Sequence, residues 1–220
     1  MAPVGHDLRN LEEDYNGIVG RNFSRGRKAC TDFLRALSAD GDLMIRFLME
    51  SGLLKDRAVC RSCGRDMTLS KKAASTDGFI WYCGKRNQGR KCHKSVSVRD
   101  DTWFSNSRLS LAQILLLTCE LLYEVPAGVV AERCATNKNT VTNWYAYIEQ
   151  TLQEYLKKIK QSPSVRTDTF QQFIYAVKMT GVNPFFKFFD IVRRVGRPSS
   201  KHNLHNKQMA RERSKREKTN

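Results

Sequence analysis

The chain has 220 residues, of which 40% are hydrophobic, so it can hold one medium domain or two small ones around a modest core. Its net charge is +16 and its sequence pI is near 9.8. No basic segment followed by an apolar run opens the chain, and the most apolar stretch, residues 111–122, is too short to span a bilayer. We therefore expect neither a secretory signal nor a membrane partner.

The N-terminal part of the sequence gives weak structural signals. Residues 1–39 lack clear periodicity and contain several Gly, Asn and Arg residues, which predicts a loosely ordered segment. Residues 40–56 predict a short helix. Asp40 or Asp42 can cap its start, and Gly52 can close it.

Four cysteines in residues 57–100 have the spacing of a zinc ribbon. Cys60 and Cys63 form one pair, and Cys83 and Cys92 form a second pair after nineteen intervening residues. Two residues between thiolates let one tight turn supply two ligands, and zinc prefers a tetrahedron of such soft ligands. The intervening segment is long enough for a hairpin, in which we expect Trp81 to pack in a small core.

The total of seven cysteines argues against a disulfide framework, because the number is odd. With no export signal, the reducing cytosol or nucleus is the expected compartment, and there paired cysteines usually bind metal. The sequence therefore predicts Zn²⁺ as a cofactor.

The positive charge is concentrated in two segments. Residues 57–99 carry eleven basic and two acidic side chains, and residues 193–220 carry ten and two. The rest of the chain is close to neutral. Because Lys and Arg bind phosphates by displacing counterions, these two segments are expected to bind nucleic acid, although solvated charged surfaces remain an alternative.

Residues 105–161 predict a helical domain. Ser107 or Ser110 can cap a first helix in which leucines recur at helical spacing and Cys119 acts as a small buried apolar residue. Pro126 can open a second helix, since its missing N–H costs nothing in the first turn.

Within this domain, the sequence "PAGVVAERCATNKNTVTNWYAY" (residues 126–147) predicts a helix-turn-helix. The motif needs small residues in its first helix and its turn and an apolar residue in its second helix, which Ala131, Ala135 and Val141 supply. The second helix should begin near Lys138, capped by Asn137 or Asn139. Its first turn offers side chains that suit contacts with bases and phosphates: Lys138, Asn139, Thr140 and Asn143.

The second helix continues as a long apolar stripe, from Val141 through Ile148 to Ile159, with steps of three and four residues. The stripe can pack on the first helix of the domain or form a seam with a second copy of the chain. Residues 162–195 are apolar and aromatic, and their structure is left uncertain between helix and strand. Residues 196–220 predict a disordered basic tail, in which "RERSKREK" is typical of nuclear import or nucleic-acid binding.

Several of these segments, in this order, resemble the N-terminal half of Merlin-type transposases, which are akin to bacterial ISXO2-like elements. The matching segments are "RFLMESGLLKD", the cysteine region "CRSCGRDMTL", "TWFSNSRLSLAQILLLT" and "NKNTVTNWYAYI", which together span residues 46–158. The resemblance implies that the four cysteines bind zinc and that the ribbon and helix-turn-helix bind the element's terminal inverted repeats. The predicted localisation is nuclear.

Three departures from this family pattern stand out. Asp101 and Thr102 replace a small Gly-Ser step, and the long segment between Cys83 and Cys92 leaves His93 as a substitute ligand. The family's RNase H-like domain, whose carboxylates hold two Mg²⁺ ions, should come next, but only Asp168 lies in a loosely similar context.

The sequence thus predicts a mainly α fold with a small β zinc ribbon, followed by a helix-turn-helix domain and a disordered basic tail. The predicted function is zinc-dependent, sequence-selective binding of double-stranded DNA without a recognisable catalytic domain. Basic ribbon residues would bind phosphates: Lys85, Arg86, Arg90 and Lys91. Two alternatives are an active or fragmentary transposase with unrecognised carboxylates, and a transcription-associated ribbon or assembly protein that joins a second copy or a longer transposase.

Overall fold

Helices make up most of the fold. A computed structural model of the chain describes residues 23–84, 86–87, 90–158 and 169–196. These residues form seven helices: α1 (Phe23–Ser38), α2 (Gly41–Glu50), α3 (Leu111–Leu122), α4 (Ala127–Arg133), α5 (Lys138–Lys158), α6 (Thr169–Thr180) and α7 (Pro184–Val195). Not one of these seven has the length and hydrophobicity that a membrane-crossing helix needs.

Helix α1 lies in the segment that the sequence predicts to be loosely ordered, so that prediction is wrong for residues 23–38. Cys30, Leu34 and Leu37 are all at most 3% exposed, and α1 packs against α3. Their steps of four and three residues form an apolar stripe of the kind that buries one face of a helix. The neighbouring Arg and Gly residues obscured this stripe in the sequence. Residues 1–22 lie outside the described part of the chain.

Helix α2 occupies the predicted short-helix segment. The Asp40 carboxylate accepts the N–H groups of Asp42 and Leu43 at 2.9 and 3.0 Å, so Asp40 rather than Asp42 is the N-cap. After the last turn, Gly52 adopts a φ of +67°, a conformation that glycine tolerates without steric cost.

The cysteine-rich region contains a small antiparallel sheet. Its strands are β1 (Thr68–Lys71), β2 (Phe79–Cys83) and β5 (Lys94–Ser97), in the order β1-β2-β5. A separate hairpin pairs the two-residue strands β3 (Arg86–Asn87) and β4 (Arg90–Lys91). Trp81 in the central strand lies between Leu69 and Val96 in register, and it is 5% exposed. It belongs to the continuous core of the protein rather than to a core of the sheet alone.

Helix α3 is almost entirely buried and contacts α1, α4, α5 and α7. Ser110, one of the two predicted caps, starts the helix with a capping box. Its hydroxyl accepts the N–H of Gln113, and the Gln113 side chain accepts the Ser110 N–H at 3.0 Å. Cys119 is fully buried, which confirms its predicted packing role.

The apolar stripe of α5 is covered by helices of the same chain. Val141, Ile148 and Leu152 are at most 2% exposed, and α5 contacts α3, α4, α6 and α7. The predicted packing on α3 is therefore present, and α4, α6 and α7 cover the rest of the stripe. Ile159, at the end of the predicted stripe, lies outside the described residues.

The segment left uncertain by the sequence forms α6 and α7, with residues 162–168 outside the described part. Asn183 caps α7 by accepting the Phe185 N–H at 2.9 Å, and Pro184 occupies the first turn. The inner face of α7 meets Trp103, whose ring lies 5.6 and 5.8 Å from those of Phe188 and Phe189. Aromatic burial of this kind dominates core energetics.

Candidate metal centre and nucleic-acid interface

The first cysteine pair lies on a tight turn. The Gly64 N–H donates to the Cys60 carbonyl at 2.8 Å, and the Cys60 N–H donates to the Arg65 carbonyl at 2.8 Å. Gly64 has a φ of +68°, which closes the turn at little cost because glycine has no Cβ. An isolated β-bridge between Val59 and Asp66 flanks the turn, so the two thiols of this pair are held on one loop.

The second pair is positioned by the sheet. Cys83 is the last residue of β2, and Cys92 directly follows the β3–β4 hairpin and precedes β5 by two residues. Because β2 and β5 are paired with Cys83 opposite Lys94, the two cysteines lie at the same end of the sheet.

All four thiols converge there. The Sγ atoms of Cys60, Cys63, Cys83 and Cys92 lie within 4.8 Å of one another. The Cys60–Cys92 and Cys63–Cys83 Sγ distances are 3.7 and 3.5 Å. Zinc–sulfur bonds of about 2.3 Å in a tetrahedron give sulfur–sulfur edges of about 3.8 Å, whereas a disulfide needs about 2.05 Å. The cluster therefore fits a tetrahedral metal ion and can hold one.

Local hydrogen bonds prepare the cluster for this role. The backbone N–H of Ser62 lowers the pKa of the Cys60 thiol from 9.0 to about 7, helped by the N–H of Cys63 and opposed by burial. Because metal ions bind the thiolate, N–H groups that favour the ionised sulfur also favour coordination.

His93, the substitute ligand considered from the sequence, lies outside the cluster. Its side chain is exposed, and its Nδ1 lies 2.7 Å from the hydroxyl of Tyr82. Cys92 occupies the fourth position instead, 3.7 Å from Cys60.

The remaining cysteines are buried elsewhere among the helices. The Cys30 and Cys119 Sγ atoms, on α1 and α3, lie 2.9 Å apart. Burial raises the pKa of the Cys119 thiol well above its usual range and that of Cys134 to about 11. The thiols of Cys119 and Cys134 therefore stay protonated near neutral pH and act as small apolar side chains.

The basic residues predicted to bind phosphates lie on or beside the β3–β4 hairpin. Lys85 is outside the described residues, and for Arg86, Arg90 and Lys91 the description covers only the backbone. Exposed cationic side chains that are described in the cysteine-rich region include Arg57, Lys72 and Lys94.

Helices α4 and α5, which contain residues of the predicted helix-turn-helix, are joined by a short turn. Ala131 and Val141 are buried where the two helices pack, and Ala135 in the turn has a φ of +47°. Asn137 caps α5 by accepting the Thr140 N–H at 2.8 Å. Ala135 therefore lies in the left-handed region, where a residue with a Cβ carries a steric cost.

The first two turns of α5 present one exposed polar face. Lys138, Asn139, Thr142 and Asn143 are exposed, whereas Thr140 is half-buried. The Thr142 hydroxyl donates to the Lys138 carbonyl at 3.0 Å, which leaves its oxygen toward solvent as an acceptor. Thr142 is not among the DNA-contacting residues predicted from the sequence, although its spacing of four residues from Lys138 places both on one face.

The candidate catalytic carboxylate Asp168 lies outside the described residues. After α5, the described chain from Thr169 to Val195 consists of helices α6 and α7. Comparisons with protein-family models, curated proteins and solved structures give no match to this chain.

Proposed function

We propose that this chain is a metal-dependent, sequence-selective DNA-binding protein. In this proposal α4 and α5 act as a helix-turn-helix, α5 is the recognition helix, and the four cysteines bind Zn²⁺. The observation that carries it is the exposed face of Lys138, Asn139, Thr142 and Asn143 at the start of a long helix whose opposite face is buried.

The chemistry of this face suits base contacts. Asparagine can bind adenine through two hydrogen bonds, lysine can donate to guanine, and threonine can bind several bases. Asn139 and Asn143 are four residues apart, so they lie on the same side of α5. The exposed residues of these two turns include no carboxylate, which would repel phosphates.

The helix itself supports insertion into a major groove. With 21 residues, α5 is about 30 Å long, and its N-terminal end carries the exposed face. The positive end of the helix dipole lies at the same place and favours nearby phosphates. A recognition helix contacts bases with its N-terminal residues in the same manner.

Affinity must come largely from other parts of the chain, because the exposed face has one charged residue. Residues 57–99 carry an excess of nine positive charges, and residues 193–220 carry an excess of eight. Phosphate binding by these segments would give strong dependence on salt concentration. By resemblance, the DNA would be the terminal inverted repeat of a Merlin-type element in the nucleus.

The metal would fold the cysteine region rather than take part in chemistry. Small zinc sites contribute folding free energy directly, since a formed site rarely exists in the unfolded chain. Four cysteines would hold the ion: Cys60, Cys63, Cys83 and Cys92. Its binding would stabilise the sheet formed by β1, β2 and β5.

Selection of bound oligonucleotides from a random pool tests the proposal, followed by binding measurements on the selected site. Replacing Asn143 by Ala should cost about 1–3 kcal/mol at one base pair and relax selection there, with little change in the salt slope. Gln153→Ala is the matched control, because Gln153 is exposed on the same helix far from its N-terminal end.

Neutralising Lys85, Arg86, Arg90 and Lys91 together should have the complementary effect. It should lower affinity for all DNA sequences. The slope of the logarithm of the binding constant against the logarithm of salt concentration should become smaller in magnitude by about three to four, since each phosphate that is no longer neutralised reduces it by about one. If the wild-type chain selects no sequence from the pool, or if both variants have the same effect, the proposed division between base and phosphate binding is wrong.

A further inference from the structure

A buried carboxylate connects the cysteine-rich sheet to the helices. Asp77, in the connection between β1 and β2, pairs with Arg99, which lies just after β5, and their side chains are only 4% and 5% exposed. Arg99 donates from Nη2 to Asp77 Oδ1 at 2.5 Å and from Nε to Oδ2. The same Oδ1 accepts the N–H of Leu111, the first residue of α3, at 3.0 Å. One side chain thus joins both edges of the sheet region to the start of α3.

The next interaction leads from α3 to the turn before α5. Gln113, in the first turn of α3, donates from Nε2 to the carbonyl of Cys134 at 3.2 Å. Cys134 is the C-terminal cap of α4 and directly precedes the turn residue Ala135. The N-terminal turn of α3 therefore holds the polypeptide that sets where α5 begins.

A second interaction fixes α4 at the other end of α3. Glu120 has a side chain only 2% exposed, and it accepts Arg133 Nη1 at 3.0 and 3.2 Å. Arg27 of α1 approaches the same carboxylate at 3.4 Å. With Gln113 and Glu120 both engaged, α4 cannot shift along α3 without breaking hydrogen bonds to a charged or buried group.

The strand that follows Asp77 ends at the cysteine cluster. Asp77 precedes β2 by two residues, and Cys83 is the last residue of that strand. The strand is therefore a direct link between the cluster and the carboxylate. A sheet of three short strands has little core of its own, so a metal ion that joins its turns would stabilise it.

We propose that Asp77 is a positioning residue that transmits metal binding in the cysteine cluster to α3 and, through Gln113, to the orientation of α5. This inference rests on the proposed DNA-binding function, because α5 is the helix whose orientation matters there. It adds a regulatory consequence: loss of metal lowers DNA affinity by displacing the recognition helix, in addition to any weakening of phosphate binding.

The test is hydrogen exchange of backbone amides in Zn²⁺-loaded and chelator-treated protein. In the wild type, chelation should speed exchange in residues 111–114 and 135–141 by about tenfold or more, while α7 changes less than about twofold. Equal acceleration throughout α7 would mean general unfolding and would overturn the proposal, because Asp77 would then have no particular role.

The decisive variant removes both charges, since Asp77→Asn alone would leave Arg99 buried without its partner. Asp77→Ala/Arg99→Met avoids that charge and keeps a side chain of similar length. With one Zn²⁺ bound, this variant should already show fast exchange in residues 135–141, and chelation should speed that exchange by less than a further factor of about two. A chelation response as large as in the wild type would overturn the proposal, and so would failure of the variant to bind one Zn²⁺.

Two further variants separate positioning from general stability. Asp77→Asn/Arg99→Met restores an acceptor for the Leu111 N–H and should recover slow exchange in residues 111–114. Asp42→Asn is the control, because it removes the exposed Lys71–Asp42 pair, which joins β1 to α2 instead of α3. It should leave residues 135–141 unchanged, and an effect equal to that of the double variant would overturn the proposal.

DNA binding is measured on the same proteins. The Zn²⁺-loaded Asp77→Ala/Arg99→Met variant should bind the selected site about tenfold or more weakly than the wild type does. Wild-type affinity in this variant overturns the proposal. If the wild-type chain binds no DNA, the proposed function fails, whereas the exchange measurements still decide whether Asp77 couples the cluster to α5.

Discussion

Truncating Ile148 tests whether the α5 stripe is an internal core or a seam between copies. Ile148 is fully buried within the chain, near the middle of α5. Ile148→Ala removes three carbon atoms from this position. The reduced burial and the cavity left behind should lower the free energy of unfolding by about 3 kcal/mol, within the usual range of about 2–5 kcal/mol.

Urea denaturation followed by far-ultraviolet circular dichroism measures this change. With a slope of about 2 kcal/mol per molar urea, the midpoint should fall by about 1.5 M. Asn143→Ala is the matched control on the same helix, since Asn143 is exposed, and its free energy of unfolding should change by less than about 0.5 kcal/mol.

Protein concentration separates the two interpretations of the stripe. If the stripe packs inside the chain, the urea midpoint is the same over a hundredfold range of concentration. A midpoint that rises with concentration in the wild type but not in Ile148→Ala would indicate a seam between copies. If Ile148→Ala lowers the free energy of unfolding by less than about 1 kcal/mol, Ile148 is not packed as the structure has it.

Three further predictions concern the turns and the buried thiols. Ala135→Gly should raise the free energy of unfolding by about 1 kcal/mol, because Ala135 has a φ of +47°; a decrease in thermal stability would contradict this. Asp40→Ala should lower it by about 1 kcal/mol by removing the cap of α2, and an unchanged melting temperature would refute the cap. Cys119 and Cys134 should resist iodoacetamide at about pH 8, because burial raises the pKa of both thiols and leaves little thiolate; mass spectrometry of labelled native protein checks this, and rapid labelling of either residue would count against their burial.

The parts of the fold that local sequence signals determine could be predicted. Ser110 and Asn137 mark helix starts through their own side chains, and Pro126 directly precedes the first residue of α4 instead of lying in its first turn as predicted. The spacing of the four cysteines anticipated their clustering. These signals act over a few residues or through a ligand geometry, so a single sequence contains them.

Other features depend on contacts between distant segments. Helix α1 was missed because its order comes from Cys30, Leu34 and Leu37 packing against α3, not from a cap or a strong propensity. The Asp77–Arg99 pair joins residues 22 positions apart and has no local signature. A buried ion pair between distant segments becomes visible only when the fold brings the two side chains together.

The aromatic segment after residue 168 was ambiguous for a different reason. Phe185, Phe188 and Phe189 suit a strand as well as a helix by propensity. Their spacing, together with Asn183 and Pro184 at the start, favours one buried helical face, but the contact with Trp103 that selects it is tertiary.

The metal content of the purified protein tests the central claim most directly. Inductively coupled plasma mass spectrometry should find one Zn²⁺ per chain. Cys83→Ser should reduce this to well below one, whereas Cys134→Ser should leave it unchanged, because Cys83 belongs to the cluster and Cys134 does not. Wild-type protein that contains no metal, and whose circular dichroism and melting temperature are unchanged by a chelator, would contradict the account.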